Sequence, residues 1–165
     1  MAAAYIMSIL IAVFFIDARH KIIPNELVLA GLVGAVPLML YNAFNPLEFY
    51  GYSKWWSPFL GMLPGTGFLF LVALAGLVIY GSDEAIGMGD VKIFAPIGIF
   101  LGWRLCTVAL LVSIIAAGAS GAVLLASGAR KRRDTVPFGP FIVIGTFVAF
   151  MWGQKILEWY IGRLG

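Results

Sequence analysis

Two aspartates stand at the polar ends of otherwise hydrocarbon-like stretches: Asp17, directly after the first apolar run, and Asp90, within Gly87-Met88-Gly89-Asp90. An acidic side chain at a membrane boundary is costly, and two that can meet there point to shared chemistry. Two carboxylates holding one proton between them can split a peptide bond with water. The ionised member takes a proton from the water while the protonated member polarises the scissile carbonyl. Like charges close together in a low-dielectric pocket cannot both ionise cheaply, so the pair titrates as a unit, and the sequence leaves open which acid holds the proton. This chemistry asks for no metal and no cofactor. The lone histidine, His20, reads as a solvated loop residue.

Each acid also has a blander reading. Asp17 begins the run Asp17-Ala18-Arg19-His20-Lys21-Ile22-Ile23-Pro24-Asn25-Glu26, and by itself fits a solvated boundary charge beside Arg19 and Lys21. Pro24 disfavours helix at Ile23, and Asn25 is a good N-cap with Glu26 in the following first turn, so the run reads as a short, stiff connection between two helices. Asp90 is harder to set aside. Gly87 and Gly89 allow strained angles and close approach to a ligand or a neighbouring helix. Asp90 then opens a helix whose dipole suits an anion.

The elements that carry these residues are membrane helices. Of the 165 residues, 62% are hydrophobic and 12% charged, and the mean hydropathy is +0.99. A water-soluble domain carries about 25% charged residues, so the bilayer is the solvent for most of this chain. Cys106 is the single cysteine, which excludes an internal disulfide and a cysteine-clustered zinc site. The first residues lack the basic region of a signal peptide and read as a retained helix.

Charges, prolines and turn clusters divide the sequence into six apolar segments, 2–16, 25–41, 57–80, 90–102, 104–127 and 137–161. The expectation is an all-α, polytopic membrane protein with about six transmembrane helices in one domain over 1–165. The first, second and fourth segments are shorter than the roughly 20 residues a span needs, which draws Asp17 and Asp90 to or slightly below the interface. Placing loops 17–24, 81–89 and 128–136 together gathers Arg19, Lys21, Lys92 and Arg130 to Arg133, seven of the eleven basic residues, on one side. That side is expected to be cytoplasmic in a plasma or inner membrane, with both acids on it. Tyr50, Tyr52, Trp55 and Trp56 read as an aromatic belt on the other side. Gly65, Gly67, Gly118 and Gly121 suit close helix packing, with Gly65-Thr66-Gly67 loosening the third helix.

The chain resembles the type IV prepilin peptidase family, a branch of the GxGD intramembrane aspartyl proteases. The match is carried by Asp17 with Ile23-Pro24-Asn25, by Gly87-Met88-Gly89-Asp90-Val91-Lys92 and by Pro137-Phe138-Gly139-Pro140-Phe141, in the family's order and across nearly the whole chain. The resemblance implies that Asp17 and Asp90 are the catalytic pair. It also implies that the substrate is a prepilin or pseudopilin, with a basic leader followed by a hydrophobic helix. Gly87, Gly89, Pro137, Phe138, Gly139 and Pro140 are its candidate substrate-binding residues. The residues at 137–141 alone fit equally a helix start with Pro in its first turn. Many bacterial members also methylate the new N-terminus through a region with paired Cys-x-x-Cys motifs. No such pairs occur here, so a peptidase-only form is expected.

Other residues have weaker claims. Lys92 reads as snorkelling to the headgroups, with an electrostatic role near the acids as the alternative. Asp83 and Glu84 are solvated loop charges or attractors of a basic leader. Arg130 to Arg133 signal topology and contact anionic lipid. No nucleic-acid partner is expected. Two rival functions are a small proton-coupled transporter, which would keep its acids near the midplane, and a non-enzymatic pilus-assembly subunit.

Overall fold

The computed structural model describes residues 2–45, 50, 56–80, 87–128 and 136–164, and the described residues are helical almost throughout. Lys54, Tyr52, Trp55, Asp83, Glu84 and Arg130 to Arg133 lie outside them. Helix α1 runs Ala2–His20 and α2 Asn25–Phe44. A short α3, Ser57–Leu60, leads through a π-helical segment, Leu63–Gly67, into α4, Phe68–Tyr80. The long α5 is Met88–Ala126 and α6 is Gly139–Leu164. Five stretches are long and apolar enough to cross a membrane, and large apolar side chains such as Phe15, Leu29, Val78 and Ile115 face outward along them. The protein is a multi-pass membrane protein.

The sixth expected segment is inside α5. Its 39 residues would rise about 58 Å if straight, nearly twice the hydrocarbon thickness. Gly102 interrupts it with φ 72° and ψ 169°, a left-handed conformation that glycine adopts without the steric cost of a Cβ. The backbone of Gly65 touches both Phe94 and the Cys106 thiol. In a straight helix those two residues would stand about 18 Å apart, so the chain folds back at Gly102 into two pieces, 88–101 and 103–126. Predicted segments 90–102 and 104–127 correspond to these pieces.

Close glycine contacts set the register between helices. A Cβ on Gly61 would meet the Gly98 carbonyl, and one on Gly65 would meet Phe94, so 57–80 runs antiparallel to 88–101. Continued along the helix, that register puts Leu69 level with Asp90, and α4 extends about 16 Å further. A Cβ on Gly153 would meet Leu105, and one on Gly145 would meet Ser113. This pairs α6 antiparallel with 103–126 and leaves that piece about 10 Å of helix beyond the level of Gly139. The helix starts that carry Asp90 and Gly139 are therefore recessed relative to the neighbouring helix ends.

The core gathers Ile6, Ile9, Leu10 and Val13 of α1, spaced three and four apart on one face, against Val28 and Ala35 of α2, Phe94 and Ile97 of α5, and Ile142 and Ala149 of α6. Within lipid, where tails are as apolar as the core, such packing stabilises through close contact. Pro64, which removes a backbone donor, lies in the π-helical segment, where loosening was expected. Gly65 packs tightly, whereas Gly118 and Gly121 meet nothing within 4 Å, so close packing at those two positions is not observed.

Candidate active site

Asp17 lies inside α1, in its last turn, and not after it. Ala18, Arg19 and His20 contain no helix breaker, and the helix ends only at Lys21, whose φ of 56° turns the chain while its N–H still bonds the Asp17 carbonyl at 2.8 Å. The nineteen residues of α1 rise about 28 Å, enough to cross. The Asp17 side chain points inward and is only 4% exposed.

What it meets comes from 122 positions away. The Gly139 N–H donates to Asp17 Oδ2 at 2.8 Å. Gly139 is the first residue of α6, so this N–H has no partner within its own helix and is free to bind an anion. The contact also requires glycine, since a Cβ there would sit 2.6 Å from Oδ2 and 2.8 Å from the Asp17 Cβ and Cγ. Pro140 follows in the first helical turn, where its missing N–H costs nothing, and the Phe138 carbonyl accepts from the N–H groups of Phe141 and Ile142. Pro137, Phe138 and Pro140 are half-buried. Their observed contribution is to form the start of α6 and hold Gly139 against the acid.

Asp90 lies in the first turn of α5, whose N-cap is Gly87 in an extended conformation. The Asp90 N–H bonds the Gly87 carbonyl at 3.0 Å. Gly89 rests on Ile23, where a Cβ would stand 3.0 Å from the Ile23 Cβ. Three separated motifs thus converge on one end of the bundle: Gly139 on Asp17, and the corner after α1 on Gly89. These contacts bring the helix ends that carry Asp17 and Asp90 to the same end of the bundle.

The sequence kinship accords with this geometry. The model of the type IV leader peptidase family matches residues 4–122, a stretch containing both acids. The chain belongs to the type IV leader peptidase family. It is 31% identical over 156 residues to a prepilin leader peptidase/N-methyltransferase of Legionella pneumophila, covering 93% of this chain and 50% of that protein. A Bacillus subtilis protein of the same name is 31% identical over 96% of this chain and 58% of its own length. One from Aeromonas salmonicida is 29% identical over 99% and 53%. The chain spans about half the length of these curated relatives. No solved structure matches it. The transporter alternative finds no support in this family.

Two polar side chains at this end differ from their sequence expectation. Asn25 does not cap α2: Pro24 occupies the cap position, with no side-chain bond to the helix, and the Asn25 amide oxygen accepts from Lys92 Nζ at 3.1 Å. Lys92, expected at the headgroups, is tied across helices. His20 is exposed, and no group of three or more metal-ligating residues occurs among the described residues. A cavity of about 170 Å³ lies toward the opposite end, between Ile6, Met7, Leu38, Ile97, Phe100 and Thr146, too far along α1 and α5 to belong to the acids.

Proposed function

We propose that this chain is an aspartic endopeptidase that removes the basic leader of type IV prepilins or pseudopilins at the cytoplasmic face of the cell membrane. The observation that supports the reading is the convergence of Gly139 on Asp17 and of Gly89, next to Asp90, on the corner after α1, at one end of a bundle in a leader peptidase family member. Seven of the eleven basic residues fall on the side assigned to that end, which supports its cytoplasmic orientation.

In this reading a water molecule lies between the two acids. The ionised carboxylate accepts its proton as the water oxygen bonds to the scissile carbonyl carbon, and the protonated carboxyl donates to the carbonyl oxygen. The tetrahedral intermediate then collapses, the C–N bond breaks and a proton passes to the leaving amine. Gly139 holds Asp17 through Oδ2, leaving its other oxygen for the water. The recessed helix starts that carry Asp90 and Gly139 suit a substrate whose hydrophobic helix lies in the bilayer and whose leader emerges toward the basic side. Gly87 and Gly89 are proposed to line the approach of the scissile strand, and membrane lipid surrounds the helices.

The test is digestion of candidate prepilins by the purified protein, with mass spectrometry of the products. A single new N-terminus at the junction of leader and hydrophobic helix is expected. Intact substrates throughout, with the protein folded and inserted, would contradict the proposal.

A further inference from the structure

We propose that Lys92 is a positioning residue for this reaction: its ammonium ties the helix carrying Asp90 to the corner of chain that follows Asp17. The inference rests on the peptidase reading. Lys92 Nζ donates to Asn25 Oδ1 at 3.1 Å, linking residues 67 positions apart. Asn25 is the first residue of α2, one position past the Pro24 cap, so its side chain is not placed to cap its own helix, and its amide oxygen accepts from a neighbouring helix.

Helical geometry explains what the tie controls. Gly89 and Lys92 are three positions apart and share a face, and both meet the same corner, Gly89 against Ile23 and Lys92 against Asn25. Lys92 lies about 200° around the axis from Asp90, at 3.6 residues per turn. Fixing Lys92 to the corner therefore fixes the rotation of the helix start and turns Asp90 away from α2. Because the corner leaves α1 at Lys21, whose N–H bonds the Asp17 carbonyl one turn back, the same tie sets the spacing of the two acids. Rotation that carried Asp90 off its partner would pull Lys92 away from Asn25. The ammonium is exposed, so its role is to hold geometry, with little direct contribution to stability.

Steady-state cleavage of a prepilin by Lys92→Met, Asn25→Ala, their double variant, Lys92→Arg and Asn25→Asp tests the proposal. Lys92→Met and Asn25→Ala should each lower kcat about tenfold while leaving KM nearly unchanged, as expected where only transition-state geometry suffers. The double variant should be no slower than either single one, because both remove the same bond. Lys92→Arg and Asn25→Asp, which keep a donor and an acceptor, should restore most of kcat. Asn25→Ala gives the same reading should Lys92→Met fail to insert. Wild-type kcat in both single variants, multiplied losses in the double variant, or a raised KM with unchanged kcat would overturn it, the last by placing Lys92 on the substrate. If the wild-type protein cleaves no prepilin, it is the peptidase reading that fails; if it cleaves and the variants match it, only this inference does.

Discussion

At the end of the bundle near Gly102, two buried polar pairs tie neighbouring segments, although Trp103 Nε1 finds no partner among the described residues; at the end near Asp17, polar contacts gather around the acids. The Tyr50 hydroxyl donates to the Ile99 carbonyl at 2.7 Å, and the Asn42 amide donates to Ser57 Oγ at 3.3 Å, all four residues being buried. In a membrane interior an unanswered polar group costs several kcal/mol, and these pairs avoid that cost while joining α2 to α3 and Tyr50 to α5. At the other end one Asp17 oxygen is held by a backbone N–H, while no donor among the described residues reaches the Asp90 carboxylate. The first end ties neighbouring segments together, and the second gathers the candidate acids.

Substitutions should separate the two ends. The largest effect is expected for Asp17→Asn or Asp90→Asn, each alone. Either should cut prepilin cleavage by at least about 10³-fold, the range for losing a general acid or base, with insertion preserved in membrane fractions. Gly139→Ala comes next. Its methyl would overlap the Asp17 carboxylate, and displacing that acid by about 1 Å should cost about 10²-fold in kcat, measured on protein that still inserts. Tyr50→Phe inverts the pattern. It should lower resistance to thermal unfolding by about 1 kcal/mol, the net worth of one hydrogen bond, and leave kcat unchanged. Gly118→Ala, with nothing within 4 Å, should change stability by less than about 0.5 kcal/mol and activity not at all. A Tyr50→Phe variant that lost cleavage at full stability would erase the distinction between the two ends.

The sequence disclosed the helices better than their meetings. Residues 57–80 appear where the apolar run places them, and the break expected near residue 103 is Gly102, because a long apolar stretch must turn back to stay in a bilayer. The apolar run stops at Ile16, which leaves Asp17 outside the first predicted segment; backbone hydrogen bonding continues through the charged residues until Lys21 adopts a positive φ. Tyr50, expected at an aromatic interface, is fully buried because its hydroxyl finds a carbonyl inside the bundle. The Gly139 contact on Asp17 and the Lys92 contact on Asn25 leave no local signature. Both depend on which helices become neighbours, and spacing along the chain cannot report that.

The most direct test of the central claim is cross-linking of Asp17→Cys with Asp90→Cys in a Cys106→Ala background, using a short bifunctional thiol reagent on membranes, with Asp17→Cys and Gly139→Cys as the positive control. Efficient linkage of both pairs is expected. Linkage of the control with none between positions 17 and 90 would contradict it, since the two acids could then not share a water.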